Sequence, residues 1–173
     1  MKFREFPRFD ETNAPEAARE PLATTRRAFG ALPEPLARYS SSPLMLKAAL
    51  GALETFEKTS LSTLEREVLA MTMGRRNDCQ FCLSLHRRML DAQHAPVDLV
   101  AALEAGVPLA DTRLEALRQF ILGALETHGN VPRQTWIDFR EAGFTHEQAL
   151  EVLVGISTYT LTTFANRLTE TSE

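Results

Sequence analysis

The two cysteines of this chain, Cys79 and Cys82, lie in one C-x-x-C sequence, and His86 follows four residues after the second. On a helix that advances about 100° per residue, positions i, i+3 and i+7 fall on one narrow face. The thiols and the imidazole then point toward the core, and Arg87 and Arg88 point away from it. Thiols beside an imidazole can serve as activated nucleophiles or as metal ligands.

A carboxylate occupies an unexpected place on the preceding predicted helix. Glu67 shares an apolar face with Val68 and Met71, where an unpaired charge costs free energy. The short break at residues 77–78 makes the two helices antiparallel neighbours, which would bring Glu67 toward His86. The carboxylate could then orient the imidazole, and the imidazole could accept a thiol proton. Alternatively, Glu67 is a structural carboxylate bonded to a backbone amide.

Helix signals recur along the chain, and no segment has the pattern of a strand. Ser42-Pro43, Asp111 and the S/T-x-x-E/Q sequences that begin at Ser62 and Thr145 each predict the start of a helix. The final predicted helix runs through Leu168. We predict an all-α fold of about seven helices joined by short loops.

The first forty residues differ from the rest because they contain five of the nine prolines. We predict an N-terminal arm over residues 1–40, with one helix from Glu16 to Phe29, packed on the bundle or on a neighbouring subunit. The helical domain would cover residues 41–173, with its C-x-x-C unit at about 42–107.

Composition narrows the class of protein. The chain has 173 residues, 44% apolar and 24% charged, which fits one globular domain. Its net charge of −4 includes no basic block, so nucleic acid is not an expected partner. The first twenty residues lack the apolar core of a signal peptide, and the uncharged stretch 152–166 is too short and polar to span a bilayer. We therefore predict a cytoplasmic protein without a membrane segment, where a close cysteine pair is redox-active or metal-binding.

The pattern Glu67, Cys79-Gln80-Phe81-Cys82 and His86 resembles the AhpD-like alkylhydroperoxidase branch of the carboxymuconolactone decarboxylase superfamily. The similarity extends from about Ser42 to Gly106. The ending Phe164-Ala165-Asn166-Arg167-Leu168 is also similar to the last helix of peroxidase-related members. This resemblance implies an all-helical protomer that forms a homo-oligomer and acts as a thiol-dependent peroxidase or disulfide reductase, without metal, flavin or haem.

By position, the resemblance implies that Cys82 reacts with a hydroperoxide, Cys79 resolves the product, and His86 with Glu67 relays the proton. An external dithiol would supply the electrons. Phe81 stands where some members carry a further histidine. Two physical arguments disagree about the more acidic thiol: the helix dipole favours Cys79, and proximity to His86 favours Cys82. We expect Cys82.

Other interpretations of the same residues stay open. C-x-x-C with His86 and Glu67 offers four zinc ligands, although structural zinc sites usually draw on two separated pairs. The C-x-x-C could be structural or could sense oxidation in a non-enzymatic helical oligomer. The superfamily fold could also serve acid–base chemistry on a lactone or keto acid, with His86 as the base. Leu83 stands where c-type haem attachment needs a histidine.

The remaining histidines and the late aromatic residues have simpler interpretations. We predict that His94, His128 and His146 are polar residues at helix ends. Trp136, Phe139 and Phe144 recur near helical spacing and are expected in the core or at a subunit interface, as is the apolar stretch 152–164.

Overall fold

Helices make up most of the structure. The computed structural model describes residues 5–170, and no β-strand occurs in that range. In chain order the helices are α1 (Glu16–Phe29), α2 (Glu34–Tyr39), α3 (Pro43–Glu57), α4 (Thr63–Arg76), α5 (Gln80–Ala92), α6 (Val97–Ala105), α7 (Thr112–Glu126), α8 (Arg133–Glu141) and α9 (His146–Leu168). The all-α prediction is confirmed. Within the described residues, none of these helices is long and apolar enough to cross a membrane.

The number of helices exceeds the prediction of about seven, because residues 5–170 contain nine. The seven predicted helices of the main domain correspond to α3–α9, and the predicted arm helix corresponds to α1. The additional helix is α2, in a proline-rich segment that the sequence analysis treats as irregular. Pro35 lies in the first turn of α2, where the missing N–H costs no helical hydrogen bond.

Side-chain caps fix where the main helices begin. The side chains of Ser42 and Asp111 accept hydrogen bonds from the third residue after them, at 3.3 and 2.9 Å. Ser62 and Thr145 each form a reciprocal capping box. These caps satisfy amide groups that a helix N-terminus otherwise leaves without partners, so the predicted starts are confirmed.

Helix α4 lies at the centre of the bundle. It contacts α5, α6, α7 and α9, and every residue from 67 to 74 is buried. A helix surrounded in this way also buries the polar side chains on its faces, which then need partners. Glu65 receives a hydrogen bond from Arg113 at 2.9 Å. Glu67 is the second buried carboxylate of α4 and belongs to the candidate site.

The N-terminal arm packs on the same chain. Helix α1 contacts α3, and α2 contacts both α3 and α9. Their apolar side chains form a second buried cluster with α3, which includes Ala18, Leu22, Leu36, Tyr39, Leu46 and Ala49. The Tyr39 hydroxyl donates to the Thr162 carbonyl at 3.0 Å. The arm therefore reaches the C-terminal helix as well as α3.

The late aromatic residues and the other histidines lie as predicted. The rings of Phe139 and Phe144 stack with centroids 4.4 Å apart, and both are buried in the main core. His94 and His128 follow the ends of α5 and α7 with φ of 55°, and His146 is the first residue of α9.

Gly155 sets the distance between α9 and its neighbours. A Cβ at this position would lie 2.6 Å from Leu69 Cδ1 and 2.6 Å from Phe56 Cε2, closer than real Cβ contacts allow. Leu69 and Phe56 are themselves fully buried, so neither can move aside without disturbing the core. The absence of a side chain at Gly155 therefore permits the close packing of α9 on α3 and α4.

We predict that Gly155→Ala lowers the free energy of unfolding by about 1–3 kcal/mol, because overpacking outweighs the helix propensity of alanine. Gly51→Ala is the matched control. Gly51 lies within α3, is exposed, and has nothing within 4 Å of an added Cβ, so alanine should stabilise by about 0.5–1 kcal/mol. Denaturant unfolding measures both. Equal effects of the two substitutions would contradict the tight packing at Gly155.

Both tyrosines of the chain, Tyr39 and Tyr159, are buried beside α9 or within it. Burial raises the pKa of each phenol above its ordinary range. For Tyr159 the Glu67 carboxylate raises the pKa further, since a second negative charge nearby is unfavourable. The folded protein therefore holds both phenols in the neutral form at alkaline pH.

We predict that the free energy of unfolding falls as pH rises above about 10, the ordinary tyrosine pKa. There the unfolded chain releases two protons that the folded chain retains, so stability falls by about 1.4 kcal/mol per pH unit for each tyrosine. Denaturant unfolding of the disulfide form between pH 9 and 11 measures this slope. The double variant Tyr39→Phe with Tyr159→Phe should flatten it, and an unchanged slope would show that other groups cause the loss.

Candidate functional site

The site begins at the reversal between α4 and α5. Asn77 ends α4, and Asp78 adopts a left-handed backbone conformation with φ of 51°. The Cys79 amide then donates to the Gly74 carbonyl at 2.9 Å, which closes the turn. Asn and Asp tolerate the left-handed region better than most residues, so the sequence at 77–78 suits this reversal. The two helices become neighbours, and their contact is the most extensive between any two helices of residues 5–170.

The two cysteines lie at the start of α5 and are joined as a disulfide, with Cα atoms 5.3 Å apart. Cys79 is the N-cap of α5, one residue before the helix, and its sulfur accepts a hydrogen bond from the Cys82 amide at 3.3 Å. Cys82 lies in the first turn. A Cβ on Gly74 would lie 3.4 Å from the Cβ of Cys82, an ordinary van der Waals distance, so α4 passes directly beside the dithiol. Both cysteines are buried.

Glu67 and His86 meet between α4 and α5. The Nδ1 atom of His86 lies 2.8 Å from Oε2 of Glu67, and the two residues are only 7% and 5% exposed. The carboxylate accepts a hydrogen bond from Nδ1–H, which fixes the orientation of the ring and leaves Nε2 as the nitrogen available for proton exchange. His86 lies one helical turn after Cys82 on the same face of α5. The structure thus joins the four predicted site residues in two pairs, Glu67 with His86 and Cys79 with Cys82, about one turn apart along α5.

Tyr159 closes the apolar side of this pair. Its ring meets the His86 imidazole edge-on, with centroids 5.3 Å apart and planes at 73°, and meets Phe56 in the same manner at 5.7 Å. The Tyr159 ring covers one side of the imidazole, which is buried, and a hydrogen bond in such a surrounding is stronger than one in water. The local sequence pattern did not predict that Tyr159 belongs to the site.

Asn166 is the second residue whose place in the site was not predicted from the sequence. Its side-chain nitrogen lies 3.3 Å from the sulfur of Cys82 and 3.6 Å from that of Cys79. Its side-chain oxygen accepts a hydrogen bond from the Tyr39 hydroxyl. A signal was present in the sequence, because Tyr159, Thr162 and Asn166 recur at helical spacing, and a polar buried face predicts contacts with other polar groups.

The described residues do not favour the zinc interpretation. Between residues 5 and 170, no group of three or more His, Cys, Asp or Glu side chains is arranged to hold a metal ion. The two cysteines bond to each other, and Glu67 bonds to His86. What the arrangement offers chemically is a dithiol that can cycle with its disulfide, next to an oriented imidazole.

The fold is similar to that of solved proteins, although at the level of sequence the chain matches no protein-family profile and no curated protein. An uncharacterized peroxidase-related protein with an alkylhydroperoxidase AhpD core from Ralstonia eutropha JMP134 aligns with a TM-score of 0.81 and 17% identity, over 96% of this chain and 90% of that one. An uncharacterized peroxidase-related protein from Silicibacter sp. TM1040 aligns with a TM-score of 0.78 and 19% identity, over 95% and 87%.

A protein of unknown function from Agrobacterium tumefaciens aligns with a TM-score of 0.68 and 15% identity, over 77% of this chain and 92% of that one. The TM-scores establish similarity of fold, and sequence identities below 20% leave the activity open. The chain therefore has the AhpD-like helical fold, as its resemblance to that family implies.

Proposed function

We propose that this protein is a thiol-dependent peroxidase that reduces hydroperoxides through Cys79 and Cys82, with Glu67 and His86 as its proton relay. The observation that carries the proposal is a disulfide-forming pair at a helix N-terminus, with a buried, carboxylate-bound imidazole one turn away on the same helix. The similarity to proteins named peroxidase-related and AhpD supports the same class of enzyme.

The first step is attack of the Cys82 thiolate on a peroxide oxygen. His86 accepts the thiol proton, and Glu67 stabilises the resulting imidazolium. An S–O bond forms while the O–O bond breaks, so sulfur is oxidised and the peroxide is reduced. The leaving alkoxide takes the proton from the imidazolium and departs as an alcohol, or as water from hydrogen peroxide. Cys82 is left as a sulfenic acid.

The second step forms the disulfide seen in the structure. The Cys79 thiolate attacks the sulfenic sulfur of Cys82, the S–S bond forms, and hydroxide leaves and is protonated to water. An external dithiol then reduces the disulfide by thiol–disulfide exchange and is itself oxidised to a disulfide. The N-cap position of Cys79 favours its thiolate, because the amide of Cys82 donates to it.

A second candidate function is oxidation sensing without turnover. It is favoured by the burial of the sulfurs, since Cys79 and Cys82 are 2% and 4% exposed and a large dithiol donor needs access to one of them. Reversible oxidation by peroxide, without sustained consumption when a dithiol is supplied, would identify the protein as a sensor.

The predicted homo-oligomer is part of the proposal. Helix α9 leaves Leu150, Leu153, Phe164 and Leu168 exposed, and a groove of about 1090 Å³ runs along this helix next to Met45 of α3. Exposed apolar side chains in such a concentration favour contact with another subunit. The resemblance to the AhpD-like family implies the same.

We predict that replacing each cysteine by serine gives a different product of oxidation by peroxide. After one dose of hydrogen peroxide, the Cys79→Ser variant should accumulate a sulfenic acid that dimedone traps on Cys82, because the resolving thiol is absent. The Cys82→Ser variant lacks the reacting thiol, so it should form neither a sulfenic acid nor a disulfide at the wild-type rate. Mass spectrometry distinguishes the products. Fast sulfenic acid formation on Cys79 in the second variant would reverse the roles of the cysteines.

Turnover of the unmodified protein decides between the functions. With dithiothreitol as the probe dithiol, a peroxidase consumes many equivalents of peroxide, and a sensor consumes one. Alkylation of both cysteines should abolish this consumption. If alkylated protein instead retained activity on a lactone or keto acid, the acid–base alternative with His86 as the base would replace the peroxidase.

We predict that Glu67→Gln slows peroxide oxidation of the dithiol by about 10²-fold, because the amide cannot stabilise the imidazolium that His86 becomes. Stopped-flow measurement of the single oxidation step gives the rate constant. Glu104→Gln is the matched control, because it removes an exposed carboxylate that pairs with Arg87 on the outer face of α5. It should change the rate less than twofold. An unchanged rate in a folded Glu67→Gln protein would make Glu67 a structural carboxylate.

A further inference from the structure

One side-chain amide faces both sulfurs of the dithiol. Asn166 lies in the last turns of α9 and is 5% exposed. Its nitrogen lies 3.3 Å from the Cys82 sulfur and 3.6 Å from the Cys79 sulfur, both within the range of an N–H to sulfur hydrogen bond. A primary amide carries two N–H donors, so it can serve both sulfurs at once. This buried polar contact has no part in the mechanism given above.

Tyr39 fixes which end of the amide points to the sulfurs. Its hydroxyl has one proton and two acceptors on α9, of which the side-chain oxygen of Asn166 is nearer than the carbonyl of Thr162. With its oxygen held by the phenol, Asn166 can present only N–H groups to the dithiol. The pKa of Tyr39 is raised by burial, so the phenol keeps its proton and this orientation persists at alkaline pH.

We propose that Asn166 is a catalytic residue whose N–H stabilises the thiolate of Cys82, and that Tyr39 is the positioning residue that aims it. The inference rests on the proposed peroxidase cycle for the use made of the thiolate. The hydrogen bond itself acts whether or not peroxide turns over. A donor to the charged form of an acid lowers its pKa, so the amide raises the fraction of Cys82 that is thiolate at neutral pH.

The geometry also separates the two cysteines. Asn166 is nearer to Cys82 than to Cys79, whereas Cys79 receives the backbone N–H of Cys82 at 3.3 Å. Each sulfur therefore has its own nearest donor. The helix N-terminus supplies the one for Cys79, and α9 supplies the one for Cys82. The helix dipole lowers the pKa of the Cys79 thiol, and the donor from α9 lowers that of Cys82 in the same way.

Several other charged or titratable groups surround the dithiol, and all of them stay in place in the variants below unless named there. They are the Glu67–His86 pair from α4 and α5, Tyr159 from α9, Tyr39 from α2, and the Asp78–Arg167 ion pair beside the start of α5. A change in thiol pKa on altering only the amide therefore reports the hydrogen bond.

The test measures the pKa of the single thiol left in a Cys79→Ser background, from the pH dependence of iodoacetamide alkylation. Asn166→Leu, which preserves side-chain size, should raise the pKa of Cys82 enough to lower its thiolate fraction about tenfold below that pKa. Tyr39→Phe should produce a smaller rise, because the amide is kept but no longer aimed. In a Cys82→Ser background, Asn166→Leu should move the pKa of Cys79 less.

Thr163→Val is the matched control. Thr163 is buried on the same helix, and its hydroxyl bonds Asn77 and the Tyr159 carbonyl, so the substitution removes α9 hydrogen bonds of the same kind away from the sulfurs. It should leave the pKa of Cys82 unchanged. Circular dichroism confirms that each variant is folded. If Asn166→Leu does not fold, Tyr39→Phe alone decides the result.

A pKa of Cys82 that moves no further in the folded Asn166 and Tyr39 variants than in the control would overturn the proposal. So would a larger shift for Cys79 than for Cys82. These results differ from a failure of the proposed function. If the wild-type protein does not turn over peroxide but Asn166→Leu still raises the pKa of Cys82, the hydrogen bond from the amide is confirmed. The dithiol then has a function other than peroxide reduction.

Discussion

The buried hydrogen bond between Glu67 and His86 is the constraint on which the rest of the site depends. A carboxylate and an imidazole, both almost fully removed from water, are stable only if each satisfies the other. Their hydrogen bond fixes how α4 and α5 align. The cysteines lie at the N-terminal end of α5, next to this contact. The tight reversal at residues 77–78 brings the two helices close enough for this contact.

Helix α9 supplies the remaining side chains of the site that α4 and α5 form. It packs on α4 through Gly155, places the Tyr159 ring against His86, and brings Asn166 to the sulfurs. The arm contributes through Tyr39, which bonds the same asparagine. The dithiol therefore contacts α9 directly, and the arm acts on it only through Asn166. A site assembled in this way couples its chemistry to the packing of the whole bundle, because no single helix holds all of its polar groups.

The sequence predicted those features that are set by local spacing. Capping residues and helical periodicity located α3 to α9, and the i, i+3, i+7 pattern placed Cys82 and His86 on the buried face of α5. Glu67 was visible because a charge on an apolar face needs a partner nearby. Helix α2 was missed because prolines suit both an irregular segment and a first helical turn. Cys79 is a cap and not a helical residue, a distinction that depends on one dihedral angle.

By itself, the sequence determined the helices, the common face of the thiols and the imidazole, and the resemblance to AhpD-like proteins. Only the tertiary structure showed that Tyr159 and Asn166, about eighty residues from the cysteines along the chain, contact the site. The physical reason is that periodicity reports which face of a helix is buried, but not which other helix covers it. The identity of that covering helix follows from close packing, which at Gly155 depends on the absence of one methyl group.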